Sequence, residues 1–224
     1  MRILRGYIKA YSKITAFADK QLVSFRKKRI HNHDFTIICN NCWGGYVYRR
    51  YGIPYLTPTV GLYFYADDFV KLCRDLRSYM ETPLEFISYT ESKYREDLER
   101  KGQQNVPIAR LDDIEVIFLH YKSQKEAKDK WDRRVKRINY DNLIFKFSKM
   151  NRCTEEALMA FDALAYDKKI CFVPPEDAAS INCAIPFQSS AGKTEVVNDT
   201  LEYARYIDLN RLINAKKVCG KHME

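Results

Sequence analysis

The sequence predicts an α/β fold, a layered sheet of parallel or mixed strands flanked by helices, with an N-terminal amphipathic helix in front. Three observations lead there. From residue 35 onward, short apolar runs alternate with segments whose apolar residues recur every three or four positions. A hydrophobic fraction of 46%, with 13% aromatic residues, supplies ample core material. The 224 residues suit one such core, because single cores keep growing to roughly 250 residues. The predicted organisation is a basic amphipathic helix over residues 1–30 and a single α/β domain over 31–224.

The elements follow in order. In the arm, Leu4, Tyr7, Ile8, Tyr11, Thr15, Ala18, Leu22 and Phe25 fall on one helical stripe. Of 38 basic and 29 acidic residues, nine and one lie within 1–30, leaving a nearly neutral 29 against 28 in the body. With the charge confined to one end, no nucleic-acid partner is expected. A basic amphipathic helix can lie on an anionic membrane, its cations on phosphates and its stripe inserted, and the run Arg26 to Arg29 favours that over packing on the body.

Phe35 to Cys39 is predicted as a buried strand leading through a turn into a helix, and Thr59 to Phe64 as a second strand. A helix starts at Asp68 with Phe69, Leu72, Cys73, Leu76 and Met80 on one face and stops before Pro83. Residues 91–107 are polar and broken at Lys101-Gly102, the pattern of a loop or lid, and Ile114 to Tyr121 is the clearest strand. Ser123 and Glu126 form a capping-box pair for a helix burying Ala127, Trp131, Val135 and Ile138. Leu143 to Phe147 is a strand, Glu155 to Leu164 a helix capped by Thr154, and Ile170 to Val173 a strand. Asn182 to Phe187 is predicted as an edge strand.

No stretch reaches the roughly 20 apolar residues that span a bilayer, and the first residues lack a signal-peptide pattern. A cytoplasmic protein, peripheral at the inner face of the plasma membrane, is expected. Its seven cysteines, odd in number and scattered through apolar segments, are expected to be reduced.

The turn Asn40-Asn41-Cys42-Trp43-Gly44-Gly45 is the first candidate site. Open α/β sheets bind ligands at the carboxyl ends of their strands, where glycines admit a ligand to the backbone and helix-start amides point outward. The plain alternative is a tight turn with Trp43 as a core plug. Cys39 and Cys42 also form a C-x-x-C pair, but the order of elements is not that of thioredoxin.

A second concentration is Asp112, Asp113 and Glu115, followed by a strand ending at His120-Tyr121. Cys42 and His120 could pair as thiolate nucleophile and base, while Asp112 and Asp113 could hold a divalent metal beside a diphosphate. Plain alternatives are a half-buried histidine and two acidic loop residues. Lys130, Arg134 and Arg137 form a basic helical ridge, guanidiniums matching phosphate bidentately, and a polar turn through Asn142 follows. Lys146 interrupts an apolar strand.

These residues, in order, resemble a known family. Asn40 to Gly45, Tyr55 with Thr57-Pro58, Leu111 to Glu115 with His120-Tyr121, Trp131 with Arg133 to Ile138, and Asp141-Asn142-Leu143 are similar to the bacterial family catalogued as domain of unknown function 1919. The likeness covers roughly residues 33–190, and the basic arm resembles that family's variable leader. Members are often labelled exopolysaccharide biosynthesis proteins and occur among glycosyltransferases, so the resemblance implies a process in surface polysaccharide assembly.

Three functions follow as expectations. The first is a group transferase using a nucleotide- or lipid-diphosphate-linked sugar, with phosphates on Asn41 to Gly45 and Asn40 among the ligand-binding residues. In it Arg134 and Arg137 neutralise charge, Asp112, Asp113 or Glu115 serve a metal or sugar hydroxyls, His120 is the base, and Tyr121 and Asn142 complete the ligand contacts. The second is a Cys42/His120 thiol hydrolase or acyltransferase. The third is a non-catalytic module that docks on an anionic membrane through residues 1–30.

Overall fold

Strand residues that are apolar on both faces need cover on both faces, and the chain supplies it. In the computed structural model, which describes residues 22–219, four parallel strands lie side by side. They are β1 (Thr36–Cys39), β5 (Leu143–Ser148), β6 (Lys168–Val173) and β7 (Ala184–Pro186), neighbours in that order, and a two-residue strand β8 (Val218–Cys219) also pairs with β6. Register runs from Thr36 opposite Leu143 to Cys39 opposite Lys146, and from Phe145 opposite Lys169 to Ser148 opposite Phe172.

Alternation divides the side chains between two cores. Ile38, Phe145, Phe147, Cys171 and Val173 pack with α3 (Ala66–Arg74), α6 (Gln124–Val135) and α7 (Glu155–Asp162). Ile37, Cys39, Ile144, Ile170 and Phe172 pack with α2 (Trp43–Tyr51) and α9 (Leu209–Asn214). A second, antiparallel sheet consists of β2 (Glu85–Ile87), β3 (Ile108–Leu111) and β4 (Ile114–Ile117), placed between β1 and β5 in the chain. The α/β class and the flanked, mainly parallel sheet are as the sequence predicts.

Several elements differ from expectation for identifiable reasons. The segment 59–64 forms no strand with β1; Val60 N donates back to Pro58 O at 2.8 Å and Gly61 has a φ of 76°, so the chain turns. It lies along the outer edge of β1 instead. Thr59 Oγ1 accepts from Cys39 N and donates to Ile37 O, both at 3.3 Å, while Tyr48 OH accepts from Ile37 N and donates to Phe35 O. Hydroxyls thus take the bonds that a neighbouring strand would make.

The helix predicted from Asp68 is two helices, because Asp75 leaves the helical region (φ −139°) and its carboxylate caps α4 (Leu76–Glu81) through Ser78 N. Residues 91–107 hold the helix α5 (Arg95–Arg100) rather than a plain loop, and β2 and β3 were not predicted at all. The strand from Ile114 stops at Ile117, after which Phe118 N bonds Pro107 O and Leu119 N bonds Ile117 O.

The caps predicted at Ser123 and Thr154 are present, accepting from Glu126 N and Ala157 N. The Ala184–Pro186 strand lies at the sheet edge. Of the predicted arm, residues 1–21 lie outside the described residues; 22–28 are helical, α1. Ile30 belongs to the α2-side core, and a Cβ on Gly52 would come within 2.5 Å of Val23 Cγ1, so α1 lies against the end of α2. None of the described helices is long and apolar enough to cross a membrane. All seven cysteines are described, and no disulfide joins them.

Candidate functional site

Parallel β1 and β5 end side by side, and the residues leaving them make a buried polar node. Asn40 clamps the two ends: its Nδ2 donates to Ser148 O at 2.9 Å and its Oδ1 accepts from Ser148 N at 3.0 Å. Lys146, on β5, is fully buried and forms an ion pair with Asp199 of the short helix α8 (Asp199–Glu202). Ser148 Oγ and Asn41 Nδ2 each donate to the same Asp199 Oδ2 at 2.7 Å, and Asn41 Oδ1 accepts from Lys146 Nζ at 3.3 Å. Burial acts to raise the Asp199 pKa, but the Lys146 charge and these donors outweigh it and hold the carboxyl below its ordinary range. The Lys146 ammonium also lies 4.9 Å from the Phe172 ring centroid and 5.6 Å from that of Trp43.

The turn itself closes inward. At the start of α2, Trp43 N donates to Asn41 Oδ1, Gly44 N to Cys39 Sγ and Gly45 N to Cys42 O, so none of these three amides points out unpaired. The glycines serve packing. A Cβ on Gly44 would meet Cys39 Sγ at 3.1 Å, and one on Gly45 would meet Val60 Cγ1 at 3.0 Å. Trp43 is fully buried, edge-on to Phe172 and Tyr203, with an indole Nε1 that finds no partner among the described residues. The plain alternative for Trp43, a core plug, is what the geometry supplies.

Cys42 is half-buried, its thiol 3.7 Å from Leu62 O, and burial pushes its pKa up to about 11. His120 is exposed, with its backbone N on Gly61 O at 2.9 Å, and no hydrogen bond joins it to Cys42 among the described residues. The two residues share the neighbourhood of Gly61-Leu62 without forming a nucleophile and base.

The other candidates are dispersed. Asp112 sits at a φ of 55° in the β3–β4 turn; Asp113 takes Lys71 and, at 2.6 Å, Tyr79 OH. Glu115 is buried and receives Ser92 Oγ and Lys93 N. No group of three His, Cys, Asp or Glu able to hold a metal exists among the described residues.

Arg134 is buried, donates to Tyr121 OH at 2.7 Å and lies over the Tyr55 ring; the Tyr121 hydroxyl in turn donates to Val60 O. Arg137 donates to Tyr55 O at 3.2 Å. The ridge therefore secures the segment beside β1, and Lys130 pairs with Glu126. Asn142, bonded to Asp34 O and Lys168 Nζ, stands before the first residue of β5, at the opposite end of the sheet from Asn41.

A cluster that the sequence reading passed over stands where β5 ends. Asn151 (φ 56°) and Arg152 (φ 62°) are consecutive left-handed residues without being glycine. Such conformations cost on the order of 1–3 kcal/mol each and persist where surrounding contacts hold them. Here Asn151 O accepts from Ala66 N, its Nδ2 donates to Phe64 O, and its Oδ1 accepts from Lys101 Nζ.

The turn delivers the Arg152 guanidinium to Asp97, which also pairs with Arg100 and Lys101 and accepts from Tyr65 OH at 2.9 Å. Burial acts against the Asp97 charge, yet Lys101, Tyr65 and Arg100 together lower its pKa to about 2. Three cations thus surround one carboxylate. Tyr65 and Tyr94 stack at 3.6 Å beside them, with Lys101 and Arg152 within 6.0 Å of the Tyr65 ring centroid. The visible signal was Met150-Asn151-Arg152-Cys153, a polar turn between a strand and a capped helix, the arrangement that drew attention to residues 40–45.

Residues 13–217 match the family described as Domain of unknown function (DUF1919). A protein of Haemophilus influenzae (strain ATCC 51907 / DSM 11121 / KW20 / Rd), described as "Uncharacterized protein", is 30% identical over 146 residues, 65% of this chain and 65% of that protein.

Proposed function

We propose, taking as premise that the chain belongs to the DUF1919 family, that it binds a phosphate-bearing sugar at the carboxyl end of β5 and transfers a group from it in the assembly of cell-surface polysaccharide. The process and the transfer come from the family resemblance; the anionic sugar is supported by the site. One observation carries it: the strained Asn151-Arg152 turn brings a third cation to Asp97, so that Arg100, Lys101 and Arg152 outnumber Asp97 and Glu195, which accepts from Arg152 N, beside tyrosine rings. Asp97 stays ionised and orders the cations, and the Arg100 and Arg152 side chains, 74% and 49% exposed, remain open to solvent. Guanidiniums arranged in this way suit phosphate oxygens, and tyrosine faces suit the apolar face of a sugar or a base.

Binding of UDP-glucose and other nucleotide sugars, followed by calorimetry, tests this reading. Arg152→Ala and Lys101→Ala should each weaken binding about tenfold or more, as loss of a charge-assisted hydrogen bond does, while Arg137→Ala should not. A panel of nucleotide sugars and sugar phosphates that none of these variants affects, or that does not bind at all, would defeat it.

A second reading, docking on an anionic membrane, is favoured by α1, where Leu22 and Phe25 are 44% and 59% exposed beside Lys27, Lys28 and Arg29.

A further inference from the structure

A cavity of about 1040 Å³ lies beside β7, away from the Asp97 cluster, and its character is amphiphilic. Arginines from three separate stretches of chain reach it: Arg29 just after α1, Arg50 in the last turn of α2, and Arg205 in the 3-10 turn Tyr203–Arg205. Beneath them the lining is apolar, with Ile185, Ile207 and Leu209.

Three arginines lining one hollow outnumber its acids, and a cleft with an excess of one sign of charge concentrates counter-ions. The lining offers a single carboxylate, Asp208, whose Oδ1 accepts from Asn210 N and Arg211 N as the cap of α9, so three arginines face one acid and the hollow keeps a net positive charge. Among the described residues, none of the three arginines forms an ion pair with an acid. Arg29 lies over the exposed Phe25 ring at 5.8 Å. The rim is therefore continuous with the apolar and basic surface of α1.

We infer that this cavity is a second binding site, for a phosphate group carried on an apolar chain, with Arg29, Arg50 and Arg205 on the phosphate and the Ile185, Ile207 and Leu209 floor under the chain. It uses none of the residues of the Asp97 cluster and stands independently of the function proposed there. Such a group could arrive as a soluble amphiphile or as a membrane lipid headgroup, and the chemistry recognised is the same.

The test is calorimetry on the full chain with decyl phosphate below its micellar concentration, against inorganic phosphate, decanol and decyl trimethylammonium. A single saturable site is expected, with decyl phosphate binding about tenfold or more tightly than any of the three controls, since neither half of the ligand alone satisfies both halves of the cavity. Arg50→Ala and Arg205→Glu should each weaken it about fivefold or more through loss of charge-assisted bonds, and Lys125→Ala, a change at an exposed lysine paired with Asp129, should leave it unchanged. A parallel arm uses phosphatidylglycerol vesicles; binding that Arg205→Glu also weakens identifies the headgroup as a source for the same site.

Failure of decyl phosphate to bind, binding that both cavity variants retain, decanol or the trimethylammonium binding equally well, adsorption to vesicles without binding of the soluble amphiphile, or equal loss in Lys125→Ala would each overturn the assignment. Failure of UDP-glucose to bind would leave these results as they are, so the two readings fail separately.

Discussion

Lys146 and Asp199, 53 residues apart in the chain, form an ion pair inside the protein that ties the central strand to the helix α8. Removing one partner strands a buried charge, which costs about 3–5 kcal/mol, whereas replacing both by apolar groups of similar volume is often near neutral. Lys146→Met should therefore be strongly destabilised in urea denaturation, and Lys146→Met/Asp199→Leu should recover much of the loss. Equal stability of the single variant and the wild type would show that the pair is not closed in solution.

Acid stability should carry the mark of Asp97. Its folded pKa is depressed from 3.8 to about 2, so its contribution is complete above 3.8 and lost as the pH falls through that window, amounting to about 2 kcal/mol. Asp97→Asn should lose about that much at pH 7 and show a flatter acid limb between pH 4 and 2. An unchanged acid limb would mean that the three cations do not hold the carboxylate.

Glycine substitutions separate packing from backbone strain. Gly52 and Gly102 have similar φ values, 60° and 65°, but a Cβ would strike Val23 at 2.5 Å in the first and nothing within 4 Å in the second. Gly102→Ala should cost about 1–2 kcal/mol from the backbone alone. Gly52→Ala should cost more by the additional 1–3 kcal/mol or so of overpacking. Thermal unfolding of the two decides it; equal losses would mean that α1 does not sit on the end of α2.

The Cys42 thiol, with its pKa raised to about 11, should alkylate with iodoacetamide at pH 7.5 at least about a hundredfold more slowly than a small-molecule thiol of pKa near 8.5. Cys42→Ser should leave UDP-glucose binding intact. Rapid, selective alkylation of Cys42 would restore the thiol-enzyme reading that the geometry leaves without a base.

The parts of the fold most legible in the sequence were those that one short stretch encodes by itself. Ile144, Phe145 and Phe147, or Ile170 to Val173, are continuous apolar runs because both sheet faces are covered, and Ser123 and Thr154 announce their helices by local capping. Thr59 to Phe64 misled because β-branched and aromatic residues suit a strand, while Pro58 and Gly61 bend the backbone away from one. The Asp97 cluster was hidden for another reason. Asp97, Lys101 and Arg152 lie on a surface helix and a turn, each looking like an ordinary solvated charge until the fold gathers them. Asp199, in a polar stretch with no periodic pattern, gave no sign that Lys146 required it.

The hydroxyl-covered edge of β1 bears on how copies of this chain meet one another. An exposed strand edge is a template on which another molecule can add its own strand, and proteins guard such edges with charges, prolines or bulges. Here the odd-numbered backbone groups that would recruit a stranger, at Phe35, Ile37 and Cys39, are already held by Tyr48 and Thr59 from the same chain. Strand addition along β1 is thereby opposed at four backbone groups by two side chains of the same chain.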